Sequence, residues 1–120
     1  MTVLLIALGA AIGAPLRYLT DRAVQARHGS PFPWGTLTVN VAGSLLLGGL
    51  LAAPVDPAVI ALVGTGFCGA LTTWSTLSYE TLRLARSGKR RLAYANVALS
   101  VAAGLGAAFL GWAVVSALAG

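Results

Sequence analysis

The chain has 120 residues, enough for one compact unit and no second domain. It is 58 % apolar and only 9 % charged, with a mean hydropathy of +0.85, whereas a soluble domain covers its surface with about 25 % charged residues. A water-facing domain is excluded, and the solvent around most of this chain is lipid.

Four glycine-rich apolar stretches, residues 2–20, 34–53, 58–79 and 92–118, occupy nearly the whole sequence. Each approaches or exceeds the roughly 20 helical residues that cross a hydrocarbon core about 30 Å thick. The chain lacks the alternating pattern of a membrane barrel, so the expectation is an all-α membrane protein of four transmembrane helices in a single domain, 1–120. The first stretch has the small residues of a secretory signal but no basic start, and three more spans follow it, so it is expected to remain as a helix.

The loop after the first span, from about Asp21 to Pro33, contains Gly29–Pro33 (Gly-Ser-Pro-Phe-Pro), which cannot continue a helix. His28 falls there and reads as a solvated loop residue. The Pro54-Val55-Asp56-Pro57 turn is so short that spans two and three must be antiparallel neighbours, with Asp56 placed to cap span three ahead of Pro57. Pairs such as Gly9 and Gly13, or Ala107 and Gly111, are spaced for close helix packing in lipid. Cys68 is the single cysteine and reads as a small packing residue.

The net charge is +5, and its placement matters more than its size. Arg17, Arg22 and Arg27 lie at or after the end of span one, and Arg83, Arg86, Lys89, Arg90 and Arg91 at or after the end of span three; these eight are all the Lys and Arg in the chain. Loops one and three share a side in a four-span protein. The positive-inside rule then places both in the cytoplasm, with the termini and Asp56 outside.

Polar groups inside the spans carry the functional argument. In span two Thr36, Asn40 and Ser44 recur every four residues and so share a helix face. An amide in hydrocarbon costs several kcal/mol unless it is hydrogen-bonded. Asn40 therefore either lines a polar path or joins helices, and spacing alone does not separate the two. Span four repeats the pattern with Asn96, Ser100 and Gly104. Span three carries Gly64, Gly66 and Gly69, then five hydroxyl residues within residues 72–78. Both features weaken a helix, so this span is expected to break near residues 69–73 and leave carbonyls free to line a cavity or hold a cation.

Three motifs in this order, Gly13-Ala-Pro-Leu-Arg-Tyr18, Gly35-Thr-Leu-Thr-Val-Asn-Val-Ala-Gly-Ser44 and Gly66-Phe-Cys-Gly-Ala-Leu-Thr-Thr-Trp-Ser-Thr76, make the sequence resemble the CrcB/Fluc fluoride channels along essentially its whole length. The resemblance implies a passive fluoride-selective channel in the plasma membrane, relieving the cytoplasm of fluoride. It implies two chains assembled antiparallel with two pores and a structural, non-transported sodium ion between them. The carbonyls of Gly69 and Thr72 would be this chain's sodium ligands, Asn40 and Ser100 would line the anion path, and Arg17 would stand at the pore entrance. The family's pore-lining aromatic pair falls at Trp74 and Leu77. Ser44, Thr76 and Asn96 complete the expected path from the polar stripes and the span-three hydroxyls.

The residue types suit the chemistry. A strongly hydrated small anion needs close donors, which amides, hydroxyls and aromatic edges supply. The family usually has phenylalanine at both aromatic positions. Here Trp74 keeps a ring edge and Leu77 does not, so the pore lined by Leu77 is expected to conduct weakly or not at all. A basic bias of all eight residues on one side also disfavours insertion in both orientations, and the expected partner is a related chain of opposite bias. The competing transporter class is a small four-span proton-coupled exporter of cations or drugs, which needs an acid within the membrane; Asp21, Asp56 and Glu80 all fall near span ends. A third class is a non-transporting assembly protein in which Asn40 and Asn96 only join helices. Ser87-Gly88-Lys89 lacks the rest of a nucleotide-binding loop, and no nucleophile–histidine or acid pair suits an enzyme.

Overall fold

The computed structural model describes residues 1–29 and 31–119. Ser30, part of the stretch expected to end the first helix, lies outside the described residues. The described chain is all helical: α1 (Thr2–His28), α2 (Trp34–Ala52), a continuous first half of span three made of α3 (Pro57–Val59), the π-helical π1 (Ile60–Cys68) and α4 (Gly69–Leu71), then α5 (Trp74–Arg86) and α6 (Arg90–Ala119). Four apolar helical stretches, Thr2–His28, Trp34–Ala52, Pro57–Arg86 and Arg90–Ala119, are long enough to cross a membrane.

Two spans run further than hydropathy indicated. The helix of span one does not stop at Asp21 but continues to His28 and ends at Gly29, whose φ of 57° is left-handed and whose N–H returns to Gln25. Span three likewise continues past Tyr79 to Arg86. Hydropathy marks where a chain leaves lipid, whereas a helix persists into water while its residues favour it. Asp56 precedes Pro57 as expected, but its side chain makes no capping bond. Its carboxylate is exposed, and the backbone carbonyl of Asp56 takes up the N–H groups of Val59 and Ile60 instead.

The expected break in span three is present. Thr72 (φ −79°, ψ 159°) and Thr73 (φ −150°, ψ 123°) are extended between α4 and α5. The break lets one span change neighbours: π1 and α4 pack along α1 and α2, while α5 packs along α6. The π-helical turn of the first half has no counterpart in the sequence reading, because its wider winding follows from contacts on two sides. Gly64 faces Leu47 and Leu50 of α2, and Gly66 faces Ile6 and Gly9 of α1.

The interior is built from small residues. Gly9 and Gly13 of α1 lie on the backbone of residues 62–71, and Gly48 of α2 and Gly111 of α6 lie on the carbonyls of Ala108 and Leu45 across the α2–α6 seam. In lipid no hydrophobic effect drives helices together, so close backbone approach supplies the dispersion contacts instead. Large apolar side chains, among them Leu105 and Phe109, face outward at 69 % exposure each, as expected where the surroundings are acyl chains.

Substituting Gly48 or Gly111 by Ala drives a Cβ into backbone carbonyl density that cannot yield. Either change should destabilise the folded chain by roughly 1–3 kcal/mol, read as a lowered thermal midpoint in detergent. Gly106→Ala, where a Cβ meets open space, should leave the midpoint unmoved.

Candidate functional site

The break is held by side chains that replace helical hydrogen bonds. In an unbroken helix the Thr73 amide would donate to the carbonyl of Gly69, and the Thr76 amide to that of Thr72. Here Thr73 N–H donates to Asn40 Oδ1 at 2.7 Å, and Asn40 Nδ2 donates back to the Thr73 carbonyl at 3.1 Å. The Asn40 amide thus pairs with both backbone groups of one residue. Thr73 Oγ1 accepts the Thr76 N–H at 3.1 Å and caps α5. The Gly69 and Thr72 carbonyls are thereby released from their helical donors. Thr72 itself closes α4, donating through both its N–H (3.0 Å) and its hydroxyl (2.9 Å) to the Cys68 carbonyl.

Beside the break lies a cavity of about 610 Å³. Asn40 and Ser44 line it from α2, Gly69 and Thr72 from span three, Trp74 and Leu77 from α5, and Ser100 from α6. The polar stripes of α2 and α6 meet here, with Ser44 Oγ 3.7 Å from where a Cβ on Gly104 would stand. The N-terminus of α5 opens beside the same space, so the positive end of a half-helix sits inside the membrane. Among the described residues no acid lines this cavity. Leu77 is buried at 3 % exposure and Trp74 stands out at 69 %. Ser100 is buried with its hydroxyl unpartnered.

Three expected site residues lie elsewhere. Thr76 and Arg17 border a second cavity, of about 160 Å³, with Tyr18, Asp21 and Thr36. Thr73 lines both cavities, and Asp21 links the second to a third of about 510 Å³ bordered by Arg22, Gln25, Glu80 and Arg83. Hollows therefore succeed one another from the basic end of the molecule to the break. Arg17 Nε is buried there without a partner. Asn96 is fully buried and does not border the main cavity. Its Nδ2 donates to Thr81 Oγ1 at 2.9 Å, which in turn donates to the Leu77 carbonyl at 2.8 Å, leaving Asn96 Oδ1 unpaired.

Sequence reasoning missed two features. Thr36 is buried at 1 % exposure and donates its hydroxyl to Glu80 Oε1 at 2.6 Å, tying the start of α2 to α5. The only signal for it was the place of Thr36 on the Asn40 stripe. The second is Thr73 as the cap of α5; threonine is a common cap, but the neighbouring hydroxyl residues of 72–78 carried the same sign.

Residues 4–112 match the family model described as CrcB-like protein, Camphor Resistance (CrcB). A protein of Frankia casuarinae named fluoride-specific ion channel FluC 1 is 61 % identical over 129 aligned positions, which cover 100 % of both chains. The namesake of Streptomyces avermitilis is 57 % identical over 92 % of this chain and 93 % of its own. A FluC 2 protein of Rhodococcus jostii is 50 % identical over 97 % of this chain and 100 % of its own. The four spans, the broken third helix and this similarity along the whole length agree, and the chain belongs to the CrcB-like family, whose members are membrane channels and not enzymes.

Proposed function

We propose that the chain forms a passive fluoride-selective channel through which fluoride leaves the cytoplasm across the plasma membrane. The observation that carries this reading is the break at Thr72–Thr73, which sets a half-helix N-terminus, hydroxyls and the Asn40 amide around a cavity free of carboxylates among the described residues. Such a lining offers hydrogen-bond donors in place of water and no fixed negative charge to repel an anion. Relatives at 50 % to 61 % identity carry the name fluoride-specific ion channel. Proton-coupled export of cations is disfavoured, because none of Asp21, Asp56 and Glu80 borders the main cavity.

The residues fit a sodium ion. Gly69 and Thr72 carbonyls have lost their helical donors to Asn40 and to Thr73 Oγ1, and Gly69 is exposed with nothing within 4 Å of its missing Cβ. Neutral carbonyl oxygens suit a hard cation, but such ions gather about six ligands. Two carbonyls from one chain are too few to enclose a cation, so in this reading a second chain supplies further oxygens and bound water can fill what remains. Sodium bound there supplies a fixed positive charge that lowers the cost of bringing an anion to mid-membrane.

In this reading fluoride enters past Arg17 and Thr76 and runs over Asn40, Ser44, Trp74, Leu77 and Ser100, with Asn96 ordering α5 against α6 beside the path. Asn40 both holds the break and turns an edge to the cavity, so its structural and functional roles coincide. The second chain lies antiparallel. The one-sided charge, eight basic residues at one end, favours a related chain of opposite bias, and that chain would supply the aromatic edge absent at Leu77.

In liposomes the assembled protein should release fluoride far faster than chloride, and replacing sodium by a large organic cation should suppress the flow. Proton-coupled movement of organic cations would overturn the channel reading. Asn40→Asp keeps the acceptor for Thr73 N–H, removes the donor to its carbonyl and places a negative charge on the path. Fluoride flux should fall to background, and unchanged flux would remove Asn40 from the pore. Expressed alone, the chain should insert with one dominant orientation and show little flux. Robust efflux from a purified homodimer, with both orientations present in cells, would sink the requirement for a different partner.

A further inference from the structure

The turn between α5 and α6 concentrates charge that the fold does not use. Arg83, Arg86, Lys89, Arg90 and Arg91 fall within residues 83–91. None of the five makes an ion pair or side-chain hydrogen bond among the described residues; Arg83 alone has an acid, Glu80, in electrostatic range. They are not needed as caps either. Gly88, at φ 80°, closes α5 through Lys89 N–H to the Leu84 carbonyl at 2.9 Å and its own N–H to Ala85 at 3.2 Å. Ser87 Oγ donates to the Arg83 carbonyl at 2.8 Å. The last turn of α5 is satisfied by backbone and by serine, so the guanidinium groups remain free.

Their placement is directional. Tyr79, Leu82, Arg83 and Arg86 are three or four residues apart and share one face of α5. With Ser87 they border a cavity of about 200 Å³ that no acid lines among the described residues. Tyr79 and Leu82 are 67 % and 50 % exposed and lie toward the membrane interior, whereas Arg83 and Arg86 lie toward the aqueous end. The face therefore passes from apolar to cationic in the order in which a phospholipid passes from acyl chain to phosphate. A free phosphate would use only the cationic half of such a lane.

We propose that this face of the α5–α6 turn is a binding site for an anionic phospholipid, with Arg83 and Arg86 holding the headgroup phosphate and Tyr79 and Leu82 packing on the acyl chain. Lys89, Arg90 and Arg91 extend the field that selects a net-negative headgroup over a zwitterionic one. The site is independent of what the channel conducts.

The test uses the full chain in uncharged detergent, titrated with phosphatidylglycerol or phosphatidylcholine and followed by intact-mass measurement of retained lipid. Phosphatidylglycerol should be retained and phosphatidylcholine not. Each cation at such a surface contributes about fivefold, so Arg83→Gln with Arg86→Gln should weaken retention roughly 20- to 30-fold. Arg22→Gln with Arg27→Gln, the same change of charge on the other basic segment, should leave it within about twofold. If the first pair does not fold, Lys89→Gln with Arg90→Gln replaces it and should also weaken retention more than the control pair. Equal retention of both lipids, equal loss in control and test variants, or displacement of phosphatidylglycerol by an equal concentration of inorganic phosphate would each overturn the proposal.

Discussion

Between Asn40 and Thr73 an amide side chain meets both backbone groups of one residue, donating to its C=O and accepting from its N–H. An unpaired peptide group in hydrocarbon costs several kcal/mol, and for that reason a membrane helix ordinarily does not break. One asparagine satisfies both the N–H and the C=O of Thr73, and Thr73 Oγ1 takes the Thr76 N–H, capping the half-helix that follows. Everything particular to this fold depends on that exchange. It lets span three pack first on α1 and α2 and then on α6, releases two carbonyls, and opens a helix N-terminus beside a polar cavity.

A break of this kind needs a rigid frame, and the frame here is made of very small residues. Gly9 and Gly13 bring α1 onto π1 and α4, while Gly48 and Gly111 bring α2 onto α6. Close backbone contact compensates for the hydrophobic driving force that lipid withholds. The large side chains are left to the outer surface, where acyl chains satisfy them. The same seam fixes Asn40 in height and rotation, since Asn40 lies between Thr36, bound to Glu80, and Gly43, packed on Thr72.

Charge is distributed by a separate logic. The spans carry donors without fixed charge along the main cavity, and the eight basic residues gather at one end. A helical hairpin with five free cations beside its turn is held at a membrane surface by the headgroups it faces. The one-sided charge and the two released carbonyls are the two features on which the proposed second chain rests.

The number and order of the spans, the gathering of cations toward one end and the place of the break to within a few residues were legible in the sequence. Apolar length, the positions of Lys and Arg, and a run of glycines and hydroxyls are local properties of the chain. The match of three motifs likewise identified the family before any coordinate. What holds the break was not legible, because the partner of Asn40 lies 33 positions away and no local pattern marks Thr73 among its neighbouring hydroxyls. The π-helical winding of Ile60–Cys68, the bond from Thr36 to Glu80 and the turning of Asn96 away from the main cavity were also decided only in three dimensions. Each depends on how two helices approach, and in lipid that approach is set by steric fit between surfaces that hydropathy cannot tell apart.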